Sequence, residues 1–337
     1  MKKNFIPPYP WQAGLWQQLS HDRQQLPHAL LLYGRAGIGK YAFARYLSQA
    51  LLCKQPVAGH PCGECASCHW FNEESHPDFR MLTPEQATEP DDESASSKKT
   101  KKKTQISVAQ IRDLSEFLSL SSHRNDGARI VLIQPAEALN AASANALLKM
   151  LEEPAPGVIF ILVANQLQRL LPTIISRCQK VSMPAPNESQ ALAWLSEQGV
   201  QNAQQQLAYV SGSPIQVMNE QAQLNTFAEI WRQFALGNKL QPHLAATMLI
   251  AHSAKTGIIA LQKWLCDLMT MCLTKQVRYH IAQSGALQGL ADKVNLSQLM
   301  QLQKKVDELR KLATHPLNHE LQLEALLVEY TRVFVNK

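Results

Sequence analysis

Apolar and polar residues alternate along this chain in two different ways, and the change falls near its middle. In the first half, short apolar runs are separated by segments of helical period. Within HALLLYG at 28–34, IVLI at 130–133 and VIFILVAN at 158–165 the runs between His28 and Gly34, 130–133 and 158–164 are apolar, the pattern of parallel strands buried on both faces. Between them AFARYLSQALL groups Phe43, Leu47, Leu51 and Leu52 toward one side. ISVAQIRDLSEFLSL carries Ser107 as a cap before Val108, Ile111, Leu114 and Leu118, and ASANALLKMLEEP is a helix stopped by Pro154. SHPDFRML returns Phe79, Met81 and Leu82 to the sheet, and LLPTIISRCQKVSM places Arg177 between a short helix and a strand beginning near Cys178. Strands alternating with helices predict an α/β fold.

In the second half the strand signal is lost and the helical period takes over. NESQALAWLSEQG and NAQQQLAYVSG read as helices with Trp194, Leu195 and Leu207 as core residues. FAEIWRQFAL, IIALQKWLCDLMTMCL, LSQLMQLQKKVDELRKL and LQLEALLVEYTRVF follow. Trp264, Leu268 and Met271 share one face, and Leu299, Leu302, Val306 and Leu309 keep a 3-4-3 spacing. Such stripes need another helical surface, within the chain or on a partner.

GRAGIGK at 34–40 lies between the first strand and the first long helix, which is the setting of a phosphate-binding loop. Gly34, Gly37 and Gly39 free the backbone amides to face an anion, and Lys40 would reach terminal phosphates. Tyr41 stands where Ser or Thr would ligate magnesium. Gln134 and Pro135 end the IVLI strand where a metal-orienting Asp and a water-polarising Glu would be required. Glu137 lies farther on and is expected to face solvent. Autonomous ATP hydrolysis is therefore not expected, whereas binding of ATP or ADP is left open, because amides and Lys40 can hold phosphates without the hydroxyl.

Four of the seven cysteines, Cys53, Cys62, Cys65 and Cys68, form C-x8-C-x2-C-x2-C. Two C-x2-C steps sharing Cys65 predict a closed structural zinc site; an iron–sulfur cluster or plain reduced cysteines are the alternatives. Gly59 and Gly63 supply turns, and Cys178, Cys266 and Cys272 read as core or near-core residues. The chain of 337 residues is 45% hydrophobic and 18% charged, as for an ordinary globular protein. Its net charge of +6 draws on Lys98, Lys99 and Lys101–Lys103 in a polar stretch at about 84–105. That stretch predicts a disordered insertion, with a nucleic-acid arm as the sharper reading. The first residues lack a continuous apolar segment and cleavage site, and no run elsewhere approaches a membrane span, so a cytoplasmic location is expected.

The glycine loop, the four cysteines, ANALLKMLEEP at 144–154 and SRC at 176–178 together resemble the clamp-loader subunits of bacterial DNA polymerase III, within the AAA+ family. The resemblance spans nearly the whole chain and includes YPW at 9–11, YVSGSP at 209–214 and NHELQLEALLVEY from Asn318. Motor subunits of that family keep GKT or GKS, an Asp-Glu pair and an arginine after the G-S-x of the lid. Here Tyr41, Gln134 with Pro135, and Ile215 occupy those places, so the likeness is to the non-motor, delta-prime branch.

The resemblance implies an AAA+ P-loop domain at 1–184 with a zinc module at 53–68, a helical lid at 185–226 and an oligomerising collar at 227–337. It implies that Arg177 acts in trans on a neighbouring subunit's ATP, and that Gly34, Gly37, Gly39 and Lys40 form a vestigial or weak phosphate site. The implied partners are the gamma/tau motor subunits and the delta subunit in a heteropentamer. The sliding clamp and primed DNA are reached through that complex, no membrane is involved, and nucleotidyl transfer resides in another subunit. Two other readings are an active gamma/tau-like motor ATPase and a zinc-containing DNA-binding module.

Overall fold

The computed structural model describes residues 6–21, 26–84, 105–119, 128–251, 253–313, 315 and 318–334. The chain divides into two compact units, 1–186 and 187–337. The insertion and its lysine run lie outside the described residues, apart from Pro84 and Gln105 at its edges.

In chain order the first unit contains α1 (Ala13–His21), β1 (Ala29–Tyr33), α2 (Lys40–Leu52), α3 (Ala66–Asn72), β2 (Phe79–Leu82), α4 (Val108–Ser119) and β3 (Arg129–Ile133). These are followed by α5 (Ala141–Glu152), β4 (Val158–Ala164), α6 (Pro172–Ile175) and β5 (Gln179–Ser182). The strands form one parallel sheet in the order β2-β3-β4-β1-β5. Alternation of side chains along each strand divides the core between the two faces. Leu30, Leu32, Ile130, Leu132, Ile161 and Val163 pack with Phe43 and Leu47 of α2 on one face. Leu31, Val131, Ile133, Phe160 and Leu162 pack with Ile111 and Leu114 of α4 and Leu147 and Leu151 of α5 on the other. Each such fully buried Leu or Ile contributes about 1.5–3 kcal/mol.

Local capping follows the sequence reading. The Ser107 hydroxyl accepts from the Gln110 amide (3.3 Å) while the Gln110 side chain accepts from the Ser107 amide (2.9 Å), a reciprocal box at the start of α4. Leu51 packs against the same cluster as expected but is only partly buried, the most tightly packed stripe of α2 passing through Phe43, Leu47 and Leu52.

The second unit is helical: α7 (Glu188–Glu197), α8 (Ala203–Tyr209), α9 (Pro214–Ala235), α10 (Pro242–Ile250), α11 (Ala254–Thr274), α12 (Ser284–Ala291), α13 (Leu296–Lys311) and α14 (His319–Arg332). One hydrophobic cluster runs from Ala191 to Phe334, and α9 passes through positions 226 and 227 without a break. Trp264, fully buried, donates from Nε1 to the Tyr330 hydroxyl (2.9 Å), which donates to the Phe234 carbonyl (2.8 Å). A buried polar chain thereby joins α11, α14 and α9. The stripe Leu299, Leu302, Val306 and Leu309 is buried as its spacing predicts, whereas Trp194 lies at the edge of the core, partly buried against it.

Candidate functional site

The cysteine cluster is assembled from the end of α2, a turn and the start of α3. Cys53 terminates α2. Ala58 and Gly59, both with positive φ, then reverse the chain between the bridged pair Val57 and His60, as a two-residue hairpin turn requires. His60 is fixed by the Tyr46 hydroxyl at 2.9 Å and by stacking on Trp16. The chain arrives at Cys62 and turns at left-handed Gly63 (φ 78°), and Cys65 caps α3, whose first turn carries Cys68.

All four sulfurs lie within 4.8 Å of one another. Cys53–Cys62 is 3.5 Å, Cys53–Cys65 3.9 Å and Cys62–Cys68 3.9 Å. Four thiolates around one ion at about 2.3 Å have edges of roughly 3.8 Å, so this donor set is of the size that a tetrahedral metal needs. Backbone N–H groups also favour thiolates here: Cys62 donates to the Cys53 sulfur (3.3 Å) and Cys65 to the Cys62 sulfur (3.4 Å). Burial acts against ionisation of Cys65, but the amides of Cys68 and Lys54 together with hydrogen bonds from the Cys62 and Cys68 thiols outweigh it and bring that thiol down to about 6. Burial raises the Cys68 thiol instead, with hydrogen bonds to Cys65 and Cys53 adding to the rise. The four cysteines could hold a metal ion, and four sulfurs leave no position open for chemistry.

The glycine loop lies between β1 and α2, and Gly37 and Gly39 adopt φ of 73° and 89°. At Gly39 a Cβ would stand 2.4 Å from the Tyr9 ring, so the position excludes a side chain twice over. The preceding YPW segment forms a short 3-10 turn that grips the loop. Trp11 Nε1 and Gln12 Nε2 both donate to the Ile38 carbonyl, at 3.0 and 2.9 Å, and Tyr9 stacks on Trp11.

Lys40 is only 4% exposed. Its ammonium donates to the carbonyls of Gly34 (2.8 Å) and Arg35 (2.5 Å) and to Asn165 Oδ1 (2.8 Å) at the end of β4. All three donors of an ammonium are thereby engaged within the chain. Burial pushes its pKa down to about 8, opposed by the charge of Glu137.

Glu137 does not face solvent as expected. It follows β3 in a 3-10 turn, and its Oε1 accepts from the Asn165 and Gln166 amides (the latter at 2.7 Å), while Oε2 is buried without a hydrogen-bond partner. The anion is drawn inward because two orphan amides at the C-terminal edge of β4 need an acceptor. Tyr41 turns away from the loop, its hydroxyl meeting Met81 Sδ (3.4 Å) and Arg45 (3.3 Å).

Arg177 follows α6 and is half-buried. It forms an ion pair with Glu152 at 2.5 Å and donates to the Thr173 carbonyl at 3.0 Å. The structure thus brings together the four cysteines, and it brings together Gly34, Gly39 and Lys40. Asn165 and Glu137 were not identified from sequence as partners of Lys40. A polar residue directly after the buried run VIFILVA was the available signal for Asn165, since ligand-side groups of parallel sheets collect at the carboxyl ends of strands.

A parallel α/β sheet with a glycine loop after a central strand, a four-thiol cluster within the same unit and a helical second unit define the class: a phosphate-loop-type α/β protein with a helical extension. Residues 11–187 match the family model described as "DNA polymerase III, delta subunit". DNA polymerase III subunit delta′ of Pseudomonas aeruginosa is 35% identical, over 96% of this chain and 97% of that protein. The delta′ subunits of Haemophilus influenzae and Escherichia coli K12 are 36% and 34% identical, over 58% and 61% of this chain and 55% and 58% of those proteins. The chain belongs to the DNA polymerase III delta′ family.

Proposed function

We propose that this protein is a non-hydrolysing, stator-type subunit of the DNA polymerase III clamp loader. The observation that carries this reading is the engagement of Lys40 by Gly34, Arg35 and Asn165. A lysine whose donors are used internally must break those bonds to meet a phosphate. Tyr41, Gln134 and Pro135 offer neither a metal ligand nor a base beside it, and autonomous hydrolysis needs both. The glycine loop then acts as a scaffold, with Gly34, Gly37, Gly39 and Lys40 as a vestigial phosphate site. Arg177 serves a neighbouring motor subunit. There its planar cation exchanges the Glu152 carboxylate for the terminal phosphate and stabilises the charge of phosphoryl transfer.

In this reading Cys53, Cys62, Cys65 and Cys68 hold a structural zinc that ties the excursion after α2 to α3. The first unit is an AAA+ domain, residues 185–226 act as its lid, and residues 227–337 form the collar that joins gamma/tau and delta subunits in a five-membered ring. The ring acts on the sliding clamp at primed DNA, in the cytoplasm at the replisome. No helix among the described residues is long and apolar enough to cross a membrane.

The test is DNA-dependent ATPase of the reconstituted ring with native or Arg177→Ala chain, beside the isolated chain. Arginine fingers are worth about 10³–10⁵ at the site they serve. The ring is expected to assemble normally and slow to the rate of its remaining sites, with the isolated chain silent. Turnover by the isolated chain, or full speed in the mutant ring, refutes the stator mechanism.

A further inference from the structure

Of the four clustered cysteines, Cys53 and Cys68 are buried and Cys62 and Cys65 are half-buried. The buried two follow Leu52 at the end of α2 and Ser67 in the first turn of α3, so the separation of these two backbones sets the span of the cluster. The Ser67 side chain crosses it. Its buried hydroxyl donates to the Leu52 carbonyl at 2.7 Å, a carbonyl in the last turn of α2, where the helix itself offers no donor.

A serine within a helix ordinarily turns its hydroxyl back to the preceding turn. Here the rotor is set by His76, also buried, whose Nε2 lies 2.8 Å from Ser67 Oγ. The direction of each bond follows from its ends. The Asp78 amide can only donate, and it donates to His76 Nδ1 at 3.0 Å. Nδ1 is therefore the acceptor and the ring proton sits on Nε2. That N–H donates to Ser67 Oγ, which leaves the hydroxyl proton for Leu52. Asp78 stands at the entrance to β2, and its carbonyl accepts from the Ile130 amide of β3 at 2.9 Å. A one-way chain of hydrogen bonds thus runs from the sheet through His76 and Ser67 to the peptide groups beside both buried cysteines.

We propose that Ser67 and His76 are positioning residues of the metal site: His76 Nε2–H holds the Ser67 hydroxyl on the Leu52 carbonyl, and that bond keeps Cys53 and Cys68 at the separation one ion requires. The inference rests on the reading of the four cysteines as a zinc site. A metal constrains its sulfurs only once bound, whereas two helix ends ordered beforehand reduce the entropy that binding must lose. Groups that orient metal ligands in this way are worth about 10–100-fold in metal affinity.

The experiment measures the zinc affinity of the full chain by competition with a chromophoric chelator, in the native protein and in Ser67→Ala, His76→Asn and His76→Gln. An asparagine amide can replace His76 Nδ1 and keep the Asp78 bond, while a glutamine amide can replace Nε2 and keep the Ser67 bond. Ser67→Ala and His76→Asn are expected to weaken zinc binding about 10–100-fold, and His76→Gln to stay close to native. A histidine that only fills the core predicts equal affinities for the two His76 variants, and that outcome overturns the proposal. Long-range ¹H–¹⁵N spectra of the native chain give a check that needs no variant: the His76 proton is expected on Nε2, and a proton on Nδ1 overturns the proposal as well. A native chain that takes up no zinc overturns the zinc reading and this inference together. Native affinity for one zinc in both Ser67→Ala and His76→Asn overturns this inference alone.

Discussion

The thiol cluster and the glycine loop share α2, one at each end, and both are recognisable as motifs, yet they are finished in opposite ways. The four sulfurs converge, with amide donors to two of them, and could hold a metal ion. The loop is completed by its own lysine, which fills its hydrogen bonds with two loop carbonyls and Asn165. Spacing thus identifies the ancestry of a site, but the partners of its charged groups decide whether a ligand is needed.

The largest effect expected from this contrast is loss of metal. Structural zinc in small modules is worth about 10–16 kcal/mol of binding. Chelation, or Cys65→Ser, should remove one zinc per chain and abolish hydrogen-exchange protection across 53–72 while β1 and β4 stay protected. Unchanged protection in a metal-free chain would show that the thiols close the module alone.

A smaller effect belongs to the loop. Lys40→Met removes three internal hydrogen bonds and leaves the partly buried Glu137 charge without its counterpart, for a loss of about 1–3 kcal/mol by denaturant titration, with zinc content unchanged. The native pKa of Lys40, near 8, lies below the roughly 10.4 of an unfolded lysine. Folding therefore releases a proton between these values, and the native chain gains stability relative to Lys40→Met as pH rises from about 8 to 10. An unchanged difference across that window would mean that the ammonium is solvated.

Next in size is Gly39→Ala. A Cβ there meets the Tyr9 ring at a left-handed φ, and a cost of about 1–2 kcal/mol is expected. Tyr9→Ala in the same chain should recover the part due to the clash, leaving the backbone part, as a double-mutant cycle in thermal unfolding would show. The smallest change is Glu137→Gln, which leaves a neutral acceptor for the Asn165 and Gln166 amides. It removes the charge that opposes burial and should move Lys40 further below about 8, read from its side-chain NMR titration.

Much of the architecture was legible before any coordinates. Apolar runs at 28–34, 130–133 and 158–165 became adjacent strands because residues without polar groups on either face can be satisfied only inside a covered sheet. The cysteine spacing was equally readable, since x2 steps hold thiols within reach of one ion over a few bonds. Glu137 was misread for the converse reason. Its place after a strand says nothing of the two orphan amides at the end of β4, which come from 28 and 29 residues along the chain and pull the carboxylate inward. Trp194 was placed in the core by its character alone, while the packing of α7 leaves it at the edge.

By itself the sequence determined that a glycine loop follows a buried strand, that four thiols lie close enough to share an ion, and that the hydroxyl and carboxylates of an ATPase are missing. These are properties of residue type and short spacing, where covalent geometry limits the choices. Tertiary structure alone decided what Lys40 and Glu137 touch, that Tyr9, Trp11 and Gln12 grip the loop, and that Ser67 and His76 join the end of α2 to the entrance of β2. Those outcomes depend on burial and on which polar groups remain unsatisfied when distant segments meet, and a buried charge or amide takes the partner that folding brings to it.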